Sequence, residues 1–357
     1  MSQAKPALVN PRVTVLTTVY NGLPYLREAI ESTLNQSYRD FEYLIIDDAS
    51  TDESVECILT YEDPRIRLVR NQKNLGTANT INKALALITT PYVLRLDQDD
   101  VSLPNRIEEQ IDYLDKHPDI AIVCSWEHTI DSDGTRLRDW KRTIENYGEF
   151  LAPVLLGLCP IWHPSIAFRK DAMIAVGGFD AEYTRAEDFD VTARMALARL
   201  GAAVVPRFHL LQRRHTGQQS NEYENRMAGI GRRVHMEALQ RFSSSPYLES
   251  LAYFLRLEPD PTGLRKRKDY LRIIQRTLRE LIQAVAGMQR LSAEELTSLK
   301  RLIYRRVGPG IRFAPVLSRL PAFVFYLTSP MHLHNVRGRL SRVYARLLAF
   351  RYTYRRY

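Results

Sequence analysis

The first 110 residues alternate short β-branched strands with amphipathic helices, and this alternation constrains the fold more than any single residue does. Val13–Val19 reads as a strand, followed by a helix over Leu23–Asn35 with Leu26, Ile30 and Leu34 on one face. Tyr43–Ile46 is a second strand, Asp52–Tyr61 a helix, Ile66–Arg70 a strand, Thr77–Leu87 a helix and Tyr92–Leu96 a strand. Such β-α-β-α order argues for a parallel sheet with helices on both faces. Ligands bind beyond the carboxyl ends of the strands in open sheets of this kind. The polar clusters of this chain follow its strands, as that rule requires.

A helix over Leu103–His117, a strand over Ile120–Cys124 and a polar hairpin-like turn at Asp131–Gly134 come next. Glu187–Leu200 reads as a helix closed by Gly201, with a strand at Ala203–Val205. Beyond about residue 235 only helical patterns remain. Leu271, Ile274, Leu278, Leu281, Ile282 and Val285 form an apolar stripe, and Ser292-x-x-Glu295 is a capping box that opens another helix. The expected division is an α/β body over residues 1–235 and a helical, Arg-rich region over 236–357.

Charge separates these two parts. The 357 residues carry a formal +9. From residue 301 onward there are twelve Arg, no Lys and no acidic residue, which leaves −3 on the first 300. Within the tail, Leu340, Val343, Tyr344, Leu347 and Leu348 share one helical face, and Arg339, Arg342 and Arg346 lie on the other. A basic amphipathic helix of this kind suits an anionic membrane surface, or docking on the protein's own acidic body. Three widely spaced cysteines (Cys57, Cys124, Cys159) and an N-terminus without an apolar signal core fit reduced thiols and a cytoplasmic setting. The uncharged runs Phe150–Phe168 and Leu320–Val336 are broken by prolines and histidines, so neither reads as a membrane span.

Five clusters carry candidate chemistry. Thr18-Val19-Tyr20-Asn21-Gly22 ends the first strand, where Tyr20 can stack on a planar base. In Asp47-Asp48-Ala49-Ser50-Thr51-Asp52, Asp48 can accept from a base imide N–H, while Ser50 or Asp52 caps a helix. Asp97-Gln98-Asp99-Asp100 places three carboxylates in four residues after an apolar strand, a hard oxygen set suited to Mg2+ or Mn2+. Glu187-Asp188 opens a helix whose dipole favours acids, and Asp188 is a candidate general base. In Arg213-Arg214-His215, the imidazole can join the metal and an arginine can face phosphate.

In this order the clusters resemble the family 2 glycosyltransferases, over roughly residues 11–220. The resemblance implies a GT-A fold, an α/β architecture with a mixed, mostly parallel central sheet, here with an α-helical C-terminal extension. It implies donor contacts at Thr18, Tyr20, Asn21, Asp48, Asn74, Gly76 and Asp97, and a Mn2+ or Mg2+ ion held by Asp99 and His215. Asp188 corresponds to the family's catalytic base, with His163, Glu187 and Gly178 on the acceptor side. It further implies transfer of one sugar, with inversion, from a nucleotide-diphosphate sugar to a hydroxyl acceptor, in cell-surface polysaccharide or glycolipid synthesis. The acceptor could then be a lipid-linked glycan. Asp48 and Tyr20 suit uracil or thymine, so UDP is favoured and dTDP stays open. Processive members carry Q-x-x-R-W. Gln212-Arg213-Arg214-His215 has no Trp, which favours single transfers.

Neither G-x-G-x-x-G nor G-x-x-x-x-G-K-[ST] is present, which argues against a dinucleotide-dependent oxidoreductase and an NTPase. A nucleotidyltransferase acting on sugar phosphates commonly has a Gly-rich phosphate loop after its first strand, where this chain has only Asn21-Gly22. A nucleic-acid-binding protein could use the Arg/Tyr tail. The acidic body argues against it, and no nucleic-acid partner is expected.

Overall fold

The computed structural model describes residues 11–183, 186–218, 227–256, 262, 264 and 269–317. The alternating half consists of β1 (Val13–Val19), α1 (Leu26–Leu34), β2 (Phe41–Asp47), α2 (Ser54–Leu59), β3 (Ile66–Arg70), α3 (Thr77–Leu87) and β4 (Tyr92–Arg95). Next come β5 (Val101–Ser102), α4 (Arg106–Lys116), β6 (Ile120–Ile130), β7 (Arg136–Trp140) and α5 (Tyr147–Leu155). The sheet region ends with β8 (Ala167–Arg169), α6 (Lys170–Ala175), α7 (Glu187–Leu197) and β9 (Gly201–Arg213). Helices α8 (Met227–Gln240), α9 (Leu248–Arg256), α10 (Tyr270–Met288) and α11 (Ala293–Leu317) follow.

The described strands join one sheet in the order β3-β2-β1-β4-β8-β6-β9-β5, with β7 beside β6. Its long ladders are parallel, with seven register pairs between β1 and β2 and ten between β6 and β9. The antiparallel ladders span two to four pairs. This is the mixed, mostly parallel α/β sheet that the sequence predicts.

Alternation along β1 and β2 feeds two cores. Val13, Val15, Tyr43 and Ile45 pack with Leu26, Ile30, Ile107 and Ile111, whereas Leu16, Leu44 and Ile46 pack with Ile81 and Leu85 on the other face. Strands buried on both faces are apolar along most of their length, with the buried Thr14 and Thr17 hydroxyls paired to Thr90 and Tyr43, and such runs are legible in the sequence.

β6 and β9 extend well past the predicted Ile120–Cys124 and Ala203–Val205, because they pair with each other through polar residues such as Glu127, His128 and Gln212. Their mutual ladder, not an apolar pattern, keeps those segments extended. The uncharged run at Phe150 opens as α5, with Phe150, Leu151, Ala152, Val154 and Leu155 at 0% exposure, so it supplies core. No helix among the described residues is long and apolar enough to cross a membrane.

The boundary expected at residue 235 falls inside α8 and does not separate two cores. Ile274, Leu278, Leu281, Ile282 and Val285 of the predicted stripe are buried in the same cluster as α5 and α7. A Cβ on Gly148 would lie 2.0 Å from the Glu295 carbonyl oxygen, so only glycine lets α5 approach α11 this closely. Polar ties reinforce the joint: Asn146 Nδ2 donates to Ser298 Oγ (3.0 Å) and Tyr147 Oη to Gln289 Oε1 (2.9 Å). The capping box forms as expected, with Ser292 N–H donating to Glu295 Oε2 at 2.7 Å and Glu295 N–H to Ser292 Oγ at 3.2 Å. The Leu320–Val336 run and the amphipathic tail helix lie outside the described residues.

Candidate active site

A cleft of about 650 Å³ opens beyond the carboxyl ends of β1 and β4, and every predicted site residue except Gly178 lines it. The β1 turn forms the first wall. Gln98, the middle residue of Asp97-Gln98-Asp99, clamps the Tyr20 peptide. Tyr20 N–H donates to Gln98 Oε1 (2.8 Å), and Gln98 Nε2 donates to the Tyr20 carbonyl (3.2 Å). Tyr20 itself is 39% exposed, its ring available for stacking. Asn21, at φ +50°, accepts from Thr51 N–H at 2.8 Å and so ties this turn to the loop after β2.

Asp48 is buried, and three donors engage its carboxylate. Oδ1 accepts from Asn71 Nδ2 (2.7 Å) and Leu75 N–H (2.9 Å), and Oδ2 from Gly76 N–H (2.9 Å). Its visible work is to fold the 71–76 loop over the cleft, with one acceptor position left on Oδ2. Asn74 Oδ1 also accepts from Gly76 N–H (3.0 Å), and Gly76 takes φ +79° immediately before α3. A side chain there would be strained whatever the space.

The acidic loop separates its three carboxylates by partner. Asp97 pairs with buried Arg95 at 2.6 Å, yet burial holds its pKa above the ordinary value. Asp100 is almost fully buried and accepts from Arg213 N–H at 2.9 Å. Burial, with Asp99 and Asp97 beside it, raises its pKa well above normal. Asp99 faces the cleft, and its Oδ2 meets His215 Nε2 at 2.9 Å and Gln218 Nε2 at 3.3 Å. The Asp99 carboxylate suits a hard cation such as Mn2+ or Mg2+, and the imidazole beside it suits the transition metal of the two, Mn2+, better than Mg2+. Among the described residues no group of three His, Cys, Asp or Glu is gathered into a metal site, so protein ligands alone would not complete a shell.

The two arginines before His215 divide their work. Arg213 is buried; its Nε donates to the Asp99 carbonyl (3.1 Å), its guanidinium pairs with Glu28, and it lies over the Tyr25 ring (4.6 Å). It therefore holds the acidic loop in place, and Arg214 is the arginine that lines the cleft.

Asp188 also lines the cleft, in the first turn of α7, where Phe189 N–H donates to its Oδ1 at 2.7 Å. Burial raises its pKa, opposed by that hydrogen bond and by Arg95. His163 meets Thr192 Oγ1 at 3.2 Å, and burial lowers its pKa to about 3, so it is neutral. Gly178 departs from the expected acceptor side. At φ +68° it sits where a Cβ would strike Asn82 Oδ1 at 2.5 Å, and Asn82 instead clamps both backbone groups of Phe179.

Sequence reading missed Arg95, Gln98 and Trp162, all of which line the cleft. The charge on Arg95 inside an otherwise apolar strand was the available signal. Gln98 reads in the sequence only as the middle residue of a D-x-D.

Residues 14–176 match the model of the family described as Glycosyl transferase family 2. An uncharacterized glycosyltransferase of Methanocaldococcus jannaschii is 32% identical over 188 residues, 52% of this chain and 64% of that protein, so the chain spans just under two thirds of its length. Among solved structures, S. aureus TarS 1–349 in complex with UDP-GlcNAc aligns at TM-score 0.55 and 16% identity, covering 85% of this chain and 87% of that one. The mannosyltransferase PcManGT of Pyrobaculum calidifontis, in complex with GDP-Man and Mn2+, aligns at TM-score 0.50 and 19% identity, covering 87% of each. At these identities the likeness establishes the fold.

Proposed function

We propose that this chain, whose residues 14–176 match the model of the family described as Glycosyl transferase family 2, moves a single sugar from a nucleotide-diphosphate sugar, UDP-linked by preference, to a hydroxyl acceptor with inversion. One observation carries this reading: a single cleft is lined by Asp97, Asp99, His215 and Asp188 together. The structural neighbours with UDP-GlcNAc and with GDP-Man and Mn2+ support a nucleotide-sugar donor and a divalent ion.

Asp99 and His215 would hold the ion. Bound Mn2+ or Mg2+ supplies neutralisation of the charge that builds on a departing diphosphate. Tyr20 gives the base a ring to stack on, and the Asp48-anchored loop closes over that side. Asp188 takes the proton from the acceptor hydroxyl as its oxygen attacks the anomeric carbon, and the nucleoside diphosphate leaves from the opposite face.

A panel of sugar nucleotides incubated with purified protein and Mn2+ tests the reading. Free nucleoside diphosphate is the expected product, with one donor turned over at least about tenfold faster than the rest. Release of pyrophosphate would instead indicate a nucleotidyltransferase, and no turnover of any donor would count against both.

The role in cell-surface polysaccharide or glycolipid synthesis belongs to the same proposal, with the enzyme peripheral on the cytoplasmic face of the membrane. The Arg-rich tail carries that part. Each Arg near an anionic surface contributes about 1 kcal/mol, so several with an apolar face suffice for reversible attachment. The full chain is expected to co-sediment with phosphatidylglycerol-containing vesicles and not with pure phosphatidylcholine. Equal binding to both would assign the tail to the protein's own body.

A further inference from the structure

Strand register gives the face behind Gln212 and Trp162, the two cleft-lining residues of this region, a specific composition. β6 lies between β7 and β9. Glu127 is level with Trp140 on one side and Leu210 on the other, and Thr129 is level with Arg138 and Gln212. Alternation puts both rows on one face, the face that Gln212 presents to the cleft. Trp162, also in the cleft, stacks on Trp140 with ring centroids 5.3 Å apart and planes at 26°. The Arg138 guanidinium lies 4.4 Å from the Trp140 centroid.

This wall holds more hydrogen-bonding capacity than the chain itself uses. Glu127 is 1% exposed, and neither of its carboxyl oxygens has a hydrogen-bond partner among the described residues. The same holds for Thr129 Oγ1, Gln212 Oε1, Trp140 Nε1 and Trp162 Nε1. A buried polar group left unsatisfied costs about 1–3 kcal/mol, and native structures contain few of them. Their concentration on one face beside a catalytic cleft therefore has a functional explanation. Burial also pushes the Glu127 carboxyl up to about 8 despite Arg214, Arg138, Arg106 and Arg142 around it, so at neutral pH it can donate as well as accept.

We propose that this wall is the acceptor subsite and that it is built for a sugar ring, with Trp162 stacking on the ring, Gln212 bonding its hydroxyls, and Glu127, Thr129 and Trp140 positioning these two from behind. The inference rests on the glycosyltransferase reading above. A lone hydroxyl, from a serine or a fatty alcohol, would engage Gln212 and leave the Trp162 ring without a partner. A pyranose offers both an apolar face for the indole and adjacent hydroxyls for the Gln212 amide.

All three tryptophans of the chain (Trp126, Trp140 and Trp162) lie in this region, two of them on the wall, so intrinsic fluorescence reads it directly. With UDP and Mn2+ saturating, methyl glycosides of glucose, galactose, mannose and N-acetylglucosamine are titrated separately. At least one is expected to give a saturable change that serine and octanol do not. Gln212→Leu and Trp162→Phe should each weaken that glycoside about tenfold, equivalent to one lost hydrogen bond or stacking face, with UDP affinity unchanged. Glu127→Gln keeps the size of the side chain and tests positioning. It should raise the glycoside KM several-fold with kcat within about twofold, whereas a merely structural Glu127 would leave KM in place and lower the melting temperature. If UDP binds and no glycoside perturbs the fluorescence, the wall is not a sugar subsite. If UDP does not bind, it is the functional reading that fails.

Discussion

Replacing Asp188 by Asn should reduce turnover by about 10²–10⁴-fold, the range contributed by a positioned general base, with donor affinity within about threefold of wild type. The expectation follows from where the carboxylate stands. It is in the first turn of α7, lines the cleft and is oriented by the Phe189 N–H at 2.7 Å. Asn preserves the volume and that hydrogen bond and removes only the ability to accept a proton, so the fold has no reason to change. Burial raises the pKa of Asp188, and a base works only when ionised. The acid limb of the wild-type rate profile should therefore sit above the ordinary carboxylate range, with activity lost as pH falls through it. Glu187 is the control: it lines the same cleft on the same helical turn, and Glu187→Gln should cost less than Asp188→Asn. Near-normal turnover in Asp188→Asn would remove this residue from the mechanism.

Much of this site was legible because its residues sit at the ends of buried parallel strands. β1, β3 and α3 lie where hydrophobic pattern and turn chemistry place them, and Asp48 and Asp97 follow their strands directly. What the sequence concealed was pairing. The sequence reads strand ends at Cys124 and Val205, where Ser125 and Pro206 interrupt the apolar runs, although the ten-pair ladder between β6 and β9 carries on through Glu127 and Gln212. The partners of each acid were hidden for the same reason. Nothing local distinguishes Asp99, facing His215, from Asp100, buried against the Arg213 backbone 113 residues away. Gly178 lies outside the cleft lining, and its φ of +68° beside the Asn82 clamp on Phe179 gives a backbone reason for glycine there that the sequence does not display. The body–tail charge division, by contrast, needed only counting.

Asp99→Ala should abolish the part of nucleotide affinity that depends on Mn2+. The three acids of the loop are not equivalent. Asp97 is matched to a buried guanidinium at 2.6 Å, and Asp100 is almost fully buried against a backbone N–H. Only Asp99 combines exposure to the cleft with an imidazole at 2.9 Å, and carboxylate and imidazole are both ligand types for Mn2+. For wild type, UDP titrated with and without Mn2+ should show a large gain in affinity. Loss of outer-shell partners alone commonly costs 10–100-fold in metal affinity, so removing a direct ligand should cost on the order of 100-fold or more. The gain should vanish in Asp99→Ala and shrink in His215→Ala, while Mn2+-free UDP affinity stays close to wild type because Tyr20 and the Asp48-anchored loop remain intact. The competing explanation is that Asp99 and His215 form a structural ion pair holding the 213–218 segment against the acidic loop. That pair would also be broken by Asp99→Ala, but the Mn2+-dependent gain would survive. An unchanged ratio of affinities with and without Mn2+ would therefore take both residues out of the metal site, whatever the variant does to stability.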